Sequence, residues 1–164
     1  MRLYWIETPC GRLATAPAPS GSSLGREIVD LLEAEVDIVV SLLASEEAAS
    51  IGLADEAAVM NEAGISFQSI PTPDFGVLDD YRQAQAVVSE LVQHLNAGQT
   101  AVVHCRGGIG RSSTIAAVAL TQLGLEPNEA MDRITKARGL RVPETRAQRL
   151  WVHGYAEWCG EVTR

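Results

Sequence analysis

The sequence predicts a single α/β domain in which a mostly parallel central sheet is flanked by helices. Short apolar segments rich in β-branched residues alternate with longer segments whose apolar residues recur at helical spacing. The chain has 164 residues, which is the size of one ordinary domain, so we expect residues 1–164 to form one unit. Alternating strands and helices favour parallel pairing, because a crossover between parallel strands usually contains a helix.

The predicted strands differ in how clearly the sequence marks them. Residues 37–43 and 100–103 are nearly continuous apolar segments, as expected for central parallel strands that are covered on both faces. Residues 14–23, with two prolines, a glycine and three serines, predict a surface loop. The full set of predicted strands is 3–6, 12–15, 37–43, 65–70 and 100–103.

Helices are predicted where apolar residues share one helical face, and several of these segments are followed by a glycine suited to a left-handed cap. The acidic run at 45–56 predicts a solvated helix face, with attraction of a basic partner as the alternative. An aromatic stripe at Trp151, Tyr155 and Trp158 predicts core packing. The predicted helices are 24–35, 54–63, 78–95, 112–123, 127–138 and 143–159.

Net charge limits the partners that the chain can bind over a broad surface. The chain has 13 Lys and Arg against 21 Asp and Glu, a formal charge of −8, which repels nucleic acid and anionic lipid. Any anionic ligand therefore needs a local binding device. Three cysteines cannot all pair internally, which favours a reducing compartment. No apolar stretch is as long as that of a signal peptide or a membrane span. We expect a cytoplasmic protein whose oligomeric state the sequence leaves open.

That local device is predicted at residues 104–112, which read His-Cys-Arg-Gly-Gly-Ile-Gly-Arg-Ser. The segment joins the strand at 100–103 to the helix at 112–123, and ligands of α/β sheets bind where strands end. Three glycines allow a tight turn whose amides face inward, and the next helix adds the positive end of its dipole. The predicted phosphate-binding residues are Arg106, Gly107, Gly108, Ile109, Gly110 and Arg111.

Cys105 and Arg111 have the residue types that this loop needs for chemistry. A helix N-terminus and a neighbouring cation stabilise a thiolate, the nucleophilic form of cysteine. The planar guanidinium of Arg111 can donate two parallel hydrogen bonds to a phosphoryl group. The alternative for Cys105 is a small buried hydrophobic residue. Cys10 and Cys159 are interpreted as bystanders, with a role as resolving thiols as the alternative.

The loop resembles the His-Cys-x5-Arg-Ser/Thr signature of the protein tyrosine phosphatase superfamily, and the short chain is similar to its dual-specificity and cyclin-dependent-kinase-inhibitor (KAP)-like members over about residues 36–150. This resemblance implies a protein tyrosine phosphatase-like fold and a cysteine-dependent phosphomonoesterase without a metal or other cofactor. It assigns Ser112 to stabilising the departing thiolate, and His104 to an orienting bond with the loop backbone. It also assigns Gln148 to positioning water, with a polar helix-face residue as the alternative.

A general acid is predicted in the loop at 71–76, Pro-Thr-Pro-Asp-Phe-Gly. Displacing an alkoxide or phenoxide from phosphorus needs a proton donor on the side opposite the thiolate. This loop resembles the movable general-acid loop of the family, which makes Asp74 the candidate. The rivals Asp79 and Asp80 are expected in the first turn of the next helix, and the alternative for Asp74 is a simple turn residue.

Taken together, the sequence predicts a protein phosphatase that acts on phosphotyrosine, with phosphoserine and phosphothreonine as further substrates, through a phosphocysteine intermediate. The predicted partner is a phosphorylated protein or peptide. Arg106 is interpreted either as a contact to a second phosphate or as a solvated side chain. Two alternatives stay open: a phosphatase for a phosphoinositide, an inositol phosphate or an RNA end, and a module that binds phosphorylated partners without turnover.

Overall fold

The computed structural model describes residues 1–162 and contains one five-stranded mixed sheet with the strand order β1-β2-β5-β3-β4. The edge strand β1 pairs antiparallel with β2, and the other three pairings are parallel. The predicted fold class, a mostly parallel sheet flanked by helices, is therefore confirmed. The strands are β1 (Tyr4–Ile6), β2 (Arg12–Pro17), β3 (Ile38–Ser41), β4 (Ser66–Ser69) and β5 (Thr100–Cys105).

Helices cover both faces of the sheet and bury two apolar clusters. The larger cluster joins the sheet to α4, α5, α6 and α7, and the smaller cluster joins it to α1 and α3. No helix within residues 1–162 combines the length and apolar character needed to cross a membrane. The helices are α1 (Leu24–Glu33), α2 (Ser45–Ser50), α3 (Glu56–Glu62), α4 (Tyr81–Asn96), α5 (Arg111–Gln122), α6 (Pro127–Arg138) and α7 (Arg146–Val162).

The central strand β5 shows how the pleat divides the sequence between the two faces. Successive side chains of a strand point to opposite sides of the sheet. Accordingly Ala101, Val103 and Cys105 belong to the larger cluster, whereas Val102 belongs to the smaller one. All six residues of this strand are buried, as the continuous apolar character of 100–103 predicted.

One predicted loop is partly wrong. Residues 14–23 were expected to form a surface loop, but β2 continues to Pro17 and pairs in parallel with β5 along its whole length. Ala14 and Ala16 are fully buried because small side chains fit between the sheet and the helices of the second face. Proline at the last residue of the strand is compatible with this pairing, since it ends the segment.

The aromatic stripe packs in the core as predicted. Trp151 and Tyr155 are buried, Trp158 is half-buried, and all three rings contact the ring of Tyr81 with centroid distances of 5.1 to 5.9 Å. The indole Nε1 of Trp151 also donates a hydrogen bond of 2.9 Å to the carbonyl of Leu78. Helix α7 is thereby joined to the loop that carries Asp74.

Candidate active site

The loop between β5 and α5 lies at the carboxyl edge of the parallel strands, and its glycines are required there by the close approach of other groups. Gly108 has φ of +64°, and a Cβ at this residue would collide with the backbone of Ala16 and Pro17. A Cβ at Gly110 would collide with side-chain atoms of Glu144 and Gln148. The loop backbone is therefore packed against β2 on one side and the start of α7 on the other.

The thiol of Cys105 lies at the base of this loop beside the hydroxyl of Ser112. The Cys105 side chain is 3% exposed, and its Sγ is 3.4 Å from Ser112 Oγ. Ser112 is fully buried in the first turn of α5. The sulfur therefore lies beside the Ser112 hydroxyl at the N-terminal end of α5.

Arg111 is held in place by a carboxylate and by two backbone carbonyls. Its Nη1 and Nη2 donate to the two carboxylate oxygens of Glu47 at 2.8 and 2.9 Å, which is a bidentate pair. Nη1 is also 3.2 Å from the carbonyl of Thr72 and 3.4 Å from that of Leu42. The hydrogen bond from Arg111 lowers the pKa of Glu47, and the same bond raises the pKa of Arg111. Both groups are thus charged together at neutral pH.

Asp74 approaches the same guanidinium from the opposite loop. Its Oδ1 is 3.1 Å from Arg111 Nη2, and its side chain is 59% exposed. The next residue, Phe75, has φ of +56° and an exposed ring. The rival Asp80 caps α4 instead, accepting a hydrogen bond of 2.9 Å from the backbone N–H of Arg82. Asp74 is therefore the carboxylate of this loop that the structure brings to Arg111.

Gln148 is fully buried between the two loops, which excludes the interpretation as a polar residue on an exposed helix face. Its Nε2 donates to the carbonyl of Gly76 at 3.2 Å, and its Oε1 accepts from the backbone N–H of Thr145 at 3.2 Å. The Thr145 hydroxyl accepts in turn from the Gln148 N–H at 3.1 Å, which forms a capping box at the start of α7. Gln148 thus connects the glycine loop to the loop of Asp74.

The expected bond from His104 to the loop backbone is absent. Within residues 1–162 neither ring nitrogen has a hydrogen-bond partner, and Nε2 lies 3.2 Å from Oε1 of the buried Glu56. The alternation of β5 explains the difference: Cys105 points toward α5, so His104 points to the other face of the sheet, where α3 carries Glu56.

The acidic run at 45–56 is only partly a solvated face, and this is the main feature that sequence reasoning missed. Glu46 is exposed as expected, but Glu47 bonds to Arg111 and Glu56 is 3% exposed beside His104. Glu47 and Arg111 are 64 residues apart in sequence. No periodicity within 45–56 distinguishes the two inward carboxylates from their neighbours, so the sequence offered no signal for them.

Neither of the other two cysteines lies near Cys105. Cys10 contacts Asn96, near the first residue of β5, whereas Cys105 is the last residue of that strand. The six residues of β5 separate its two ends by about 17 Å. Cys159 contacts Gln122 at the far end of α5, also about 17 Å from the loop by helical rise. A broad groove of about 890 Å³ is lined by Gln122, Trp158 and Cys159 and includes none of the predicted catalytic residues. This structure therefore brings neither cysteine to Cys105, as a resolving thiol would require.

Comparison with known proteins places this arrangement in a family. The model of the family described as the DSP-PTPase phosphatase domain of Swiss Army Knife protein matches residues 9–150. Cyclin-dependent kinase inhibitor 3 of Rattus norvegicus is 30% identical over 96 residues, which cover 57% of this chain and 45% of that protein. The Homo sapiens protein of the same name is 29% identical over 98 residues. The matched region therefore spans somewhat less than half the length of these relatives.

Solved structures show the same fold across nearly the whole chain. Kinase associated phosphatase (KAP), with its catalytic-site cysteine substituted by serine, superposes with a TM-score of 0.85 and 18% identity over 98% of this chain and 96% of that one. PTPMT1 in complex with PI(5)P gives a TM-score of 0.77 at 19% identity, with 93% and 94% coverage. These structures show the same fold, and the family match over residues 9–150 shows that the chain belongs to the DSP-PTPase phosphatase domain family.

Proposed function

We propose that this chain is a cysteine-dependent protein phosphatase of dual specificity, and that residues 1–164 form one phosphatase domain. The observation that carries the proposal is the convergence of a thiol, an arginine and a carboxylate on one glycine loop. Sγ of Cys105 lies 3.4 Å from Ser112 Oγ, and Asp74 Oδ1 lies 3.1 Å from Nη2 of Arg111, the last residue before Ser112. These groups supply a nucleophile, a cation that can bind an anion and a proton donor.

In the first step the Cys105 thiolate attacks phosphorus, so an S–P bond forms and the P–O bond to the leaving group breaks. Asp74 gives its proton to the departing oxygen, which leaves as an alcohol or phenol. Arg111 and the loop amides bind the three remaining phosphoryl oxygens and stabilise their negative charge in the transition state. The product of this step is a phosphocysteine.

In the second step water attacks the phosphocysteine and Asp74, now ionised, accepts the proton of that water. The S–P bond breaks, inorganic phosphate forms and the thiolate returns. The Ser112 hydroxyl can donate to the departing sulfur, since the two atoms are already at hydrogen-bond distance for sulfur. Gln148 lies between Gly110 and the carbonyl of Gly76, where its amide can orient the attacking water.

The proposed substrates are phosphoproteins or phosphopeptides that carry phosphotyrosine, with phosphoserine and phosphothreonine as further substrates. The similarity to cyclin-dependent kinase inhibitor 3 supports a protein substrate. The exposed ring of Phe75, next to Asp74, offers an apolar surface to the leaving group. A cytoplasmic location is part of the proposal, because the predicted chemistry needs a reduced thiol.

The proposal is tested by hydrolysis of an aryl phosphate in the presence of EDTA. We expect turnover by the wild-type chain and none by Cys105→Ser, which should still bind the ester. If the wild type binds the phosphate ester without turnover, the chain is a binding module and not a phosphatase. Loss of turnover with EDTA would reveal a metal-dependent reaction. A panel of phosphopeptides and phosphoinositides, compared by kcat/KM, then separates the protein substrate from the lipid one.

The role of Asp74 has its own test. Asp74→Asn should slow esters with poor leaving groups about 100-fold or more and esters with good leaving groups much less, because only the former need a proton. Asp79→Asn is the matched control, since it makes the same charge change in the same loop at an exposed carboxylate. Equal slowing of both ester classes by Asp74→Asn would remove Asp74 from the acid role.

A further inference from the structure

The glycine loop is held from its outer side by contacts to three successive carbonyls. The carbonyl of Arg106 accepts a hydrogen bond from the backbone N–H of Ala18 at 3.3 Å. The carbonyl of Gly107 accepts from Arg138 Nη2 at 3.1 Å, and that of Gly108 accepts from Arg138 Nε at 2.8 Å. One guanidinium at the end of α6 therefore binds two adjacent peptide groups of the loop.

These contacts determine which way the loop amides point. A trans peptide unit is planar, so its C=O and the N–H of the following residue point in opposite directions. Fixing the carbonyls of Gly107 and Gly108 outward therefore fixes the N–H groups of Gly108 and Ile109 inward. The peptide units flanking a glycine reorient easily, since glycine accepts positive and negative φ about equally well. Without an outside partner, these two amides could turn away from a bound anion.

Arg138 is itself held in position by the fold. It is the last residue of α6, and Gly139, with φ of +73°, ends the helix directly after it. Its Cζ lies 3.9 Å from the ring centroid of Tyr4 in β1, a cation–π contact. Within residues 1–162 its polar contacts are the two loop carbonyls, and it forms no salt bridge there. Its guanidinium thus lies directly behind the loop.

We propose that Arg138 is a positioning residue for the oxyanion site, which orients the amides of Gly108 and Ile109 toward the phosphoryl group without touching it. The proposal rests on the proposed function for the identity of the ligand. Neither the signature at 104–112 nor any role assigned from the sequence includes this residue. The fork of the guanidinium matters, because two donors in one plane bind the two carbonyls together.

The first test measures binding of tungstate, an unreactive tetrahedral oxyanion, by calorimetry. Removing a single donor from an oxyanion site typically costs about 100- to 1,000-fold in rate. Because Arg138 acts through the amides, we expect Arg138→Met to weaken tungstate binding and kcat/KM by about 10- to 100-fold, scaled down from that range. Arg138→Lys, which keeps the charge but loses the fork, should fall in between. The rate of Cys105 alkylation at pH 7 should also fall most in Arg138→Met and to an intermediate extent in Arg138→Lys.

The matched control is Arg133→Lys, on the same helix. Arg133 contacts Glu129 and the carbonyl of Glu7 and does not contact the loop, so we expect wild-type tungstate affinity. If Arg138→Met and Arg138→Lys fold and bind tungstate like this control, the proposal is overturned. A lower melting temperature with unchanged tungstate affinity would also overturn it, because that result describes a purely structural residue.

Two further arms keep the outcomes distinct. If the Arg138 variants do not fold, Tyr4→Leu decides, since it removes the ring contact and leaves the guanidinium. We expect this variant to weaken tungstate binding by about threefold, the size of effect that one exposed cation–π contact supplies, and an unchanged affinity would overturn the proposal. Tungstate binding requires no turnover. A wild type that binds tungstate but hydrolyses no phosphate ester would therefore contradict the proposed function. The tungstate measurements would still decide the role of Arg138.

Discussion

Replacing Glu47 by glutamine should reduce both the stability and the activity of this protein. Glu47 binds Arg111 through two charge-assisted hydrogen bonds of 2.8 and 2.9 Å, and its side chain is 22% exposed. Glutamine keeps the shape and one acceptor oxygen but loses the charge and the second acceptor. Arg111 then keeps its contacts with the carbonyls of Leu42 and Thr72, but nothing fixes both ends of its fork.

The magnitude follows from the number and exposure of the bonds that change. A hydrogen bond to a charged group contributes about 1.5–3 kcal/mol, and one such bond is lost while the other becomes neutral. Partial exposure of Glu47 and the two remaining carbonyl contacts reduce the total, so we expect a loss of about 2 kcal/mol. For activity this sets an upper bound: were all of this free energy spent on holding Arg111 in its reactive orientation, kcat/KM for an aryl phosphate would fall about 30-fold, at about 1.4 kcal/mol per factor of ten.

The assay is a pair of urea titrations and steady-state measurements at pH 7 on Glu47→Gln and on its neighbour Glu46→Gln. Glu46 lies in the same helix, is exposed and has the same charge, so its substitution should change neither quantity by more than about 0.5 kcal/mol. If the free energy of unfolding and kcat/KM of Glu47→Gln match those of Glu46→Gln, the bidentate pair does not hold Arg111 in the position that the proposed reaction needs, and the prediction is refuted.

Three other results are expected. The stability difference between the wild type and Glu47→Gln should be complete above pH 4.5 and should disappear as the pH falls through the lowered pKa of Glu47. The reason is that, between these two pH values, the carboxyl is ionised in the folded state and protonated in the unfolded state. A difference that persists at lower pH in urea titrations would contradict this prediction. Gly108→Ala should reduce kcat/KM by more than about 100-fold, because its Cβ would collide with the backbone of Ala16 and Pro17. Gly124 also has positive φ but has open space for a Cβ, so Gly124→Ala should lose only about 1 kcal/mol of stability and keep its activity. Gln148→Leu should slow hydrolysis of the phosphocysteine, seen as a larger burst of phenol in rapid mixing, and an unchanged burst would remove Gln148 from that step.

Local patterns were sufficient to predict most of the fold. Helical and strand periodicity located the strand at 100–103 and the helix at 112–123 to within two residues, because burial of a continuous apolar strand and helix leaves a direct mark on the sequence. The predicted surface loop was wrong at residues 16–17, because a small residue and a proline, which favour turns locally, extend β2 through pairing with β5. Pairing between distant strands overrode local preference there.

The sequence by itself was enough to propose the reacting groups of the candidate site. Cys105, Arg111 and Ser112 are contiguous with a glycine loop whose geometry is local, so their types and spacing carry the chemistry. Asp74 was selected from three nearby carboxylates by the resemblance of its loop and by the expected place of Asp79 and Asp80 in the next helix. Its position beside Arg111 depends on how that loop folds back over α5.

Only the tertiary structure decided what holds those groups in place. Glu47 and Arg138 reach the loop from helices 64 residues before Arg111 and 30 residues after Gly108. A side chain that supports another through a long-range contact leaves no periodic signal, because its contribution depends on where separate elements meet and not on its neighbours in the chain. The face to which His104 points, toward Glu56, was likewise fixed by the pleat of β5 within the assembled sheet.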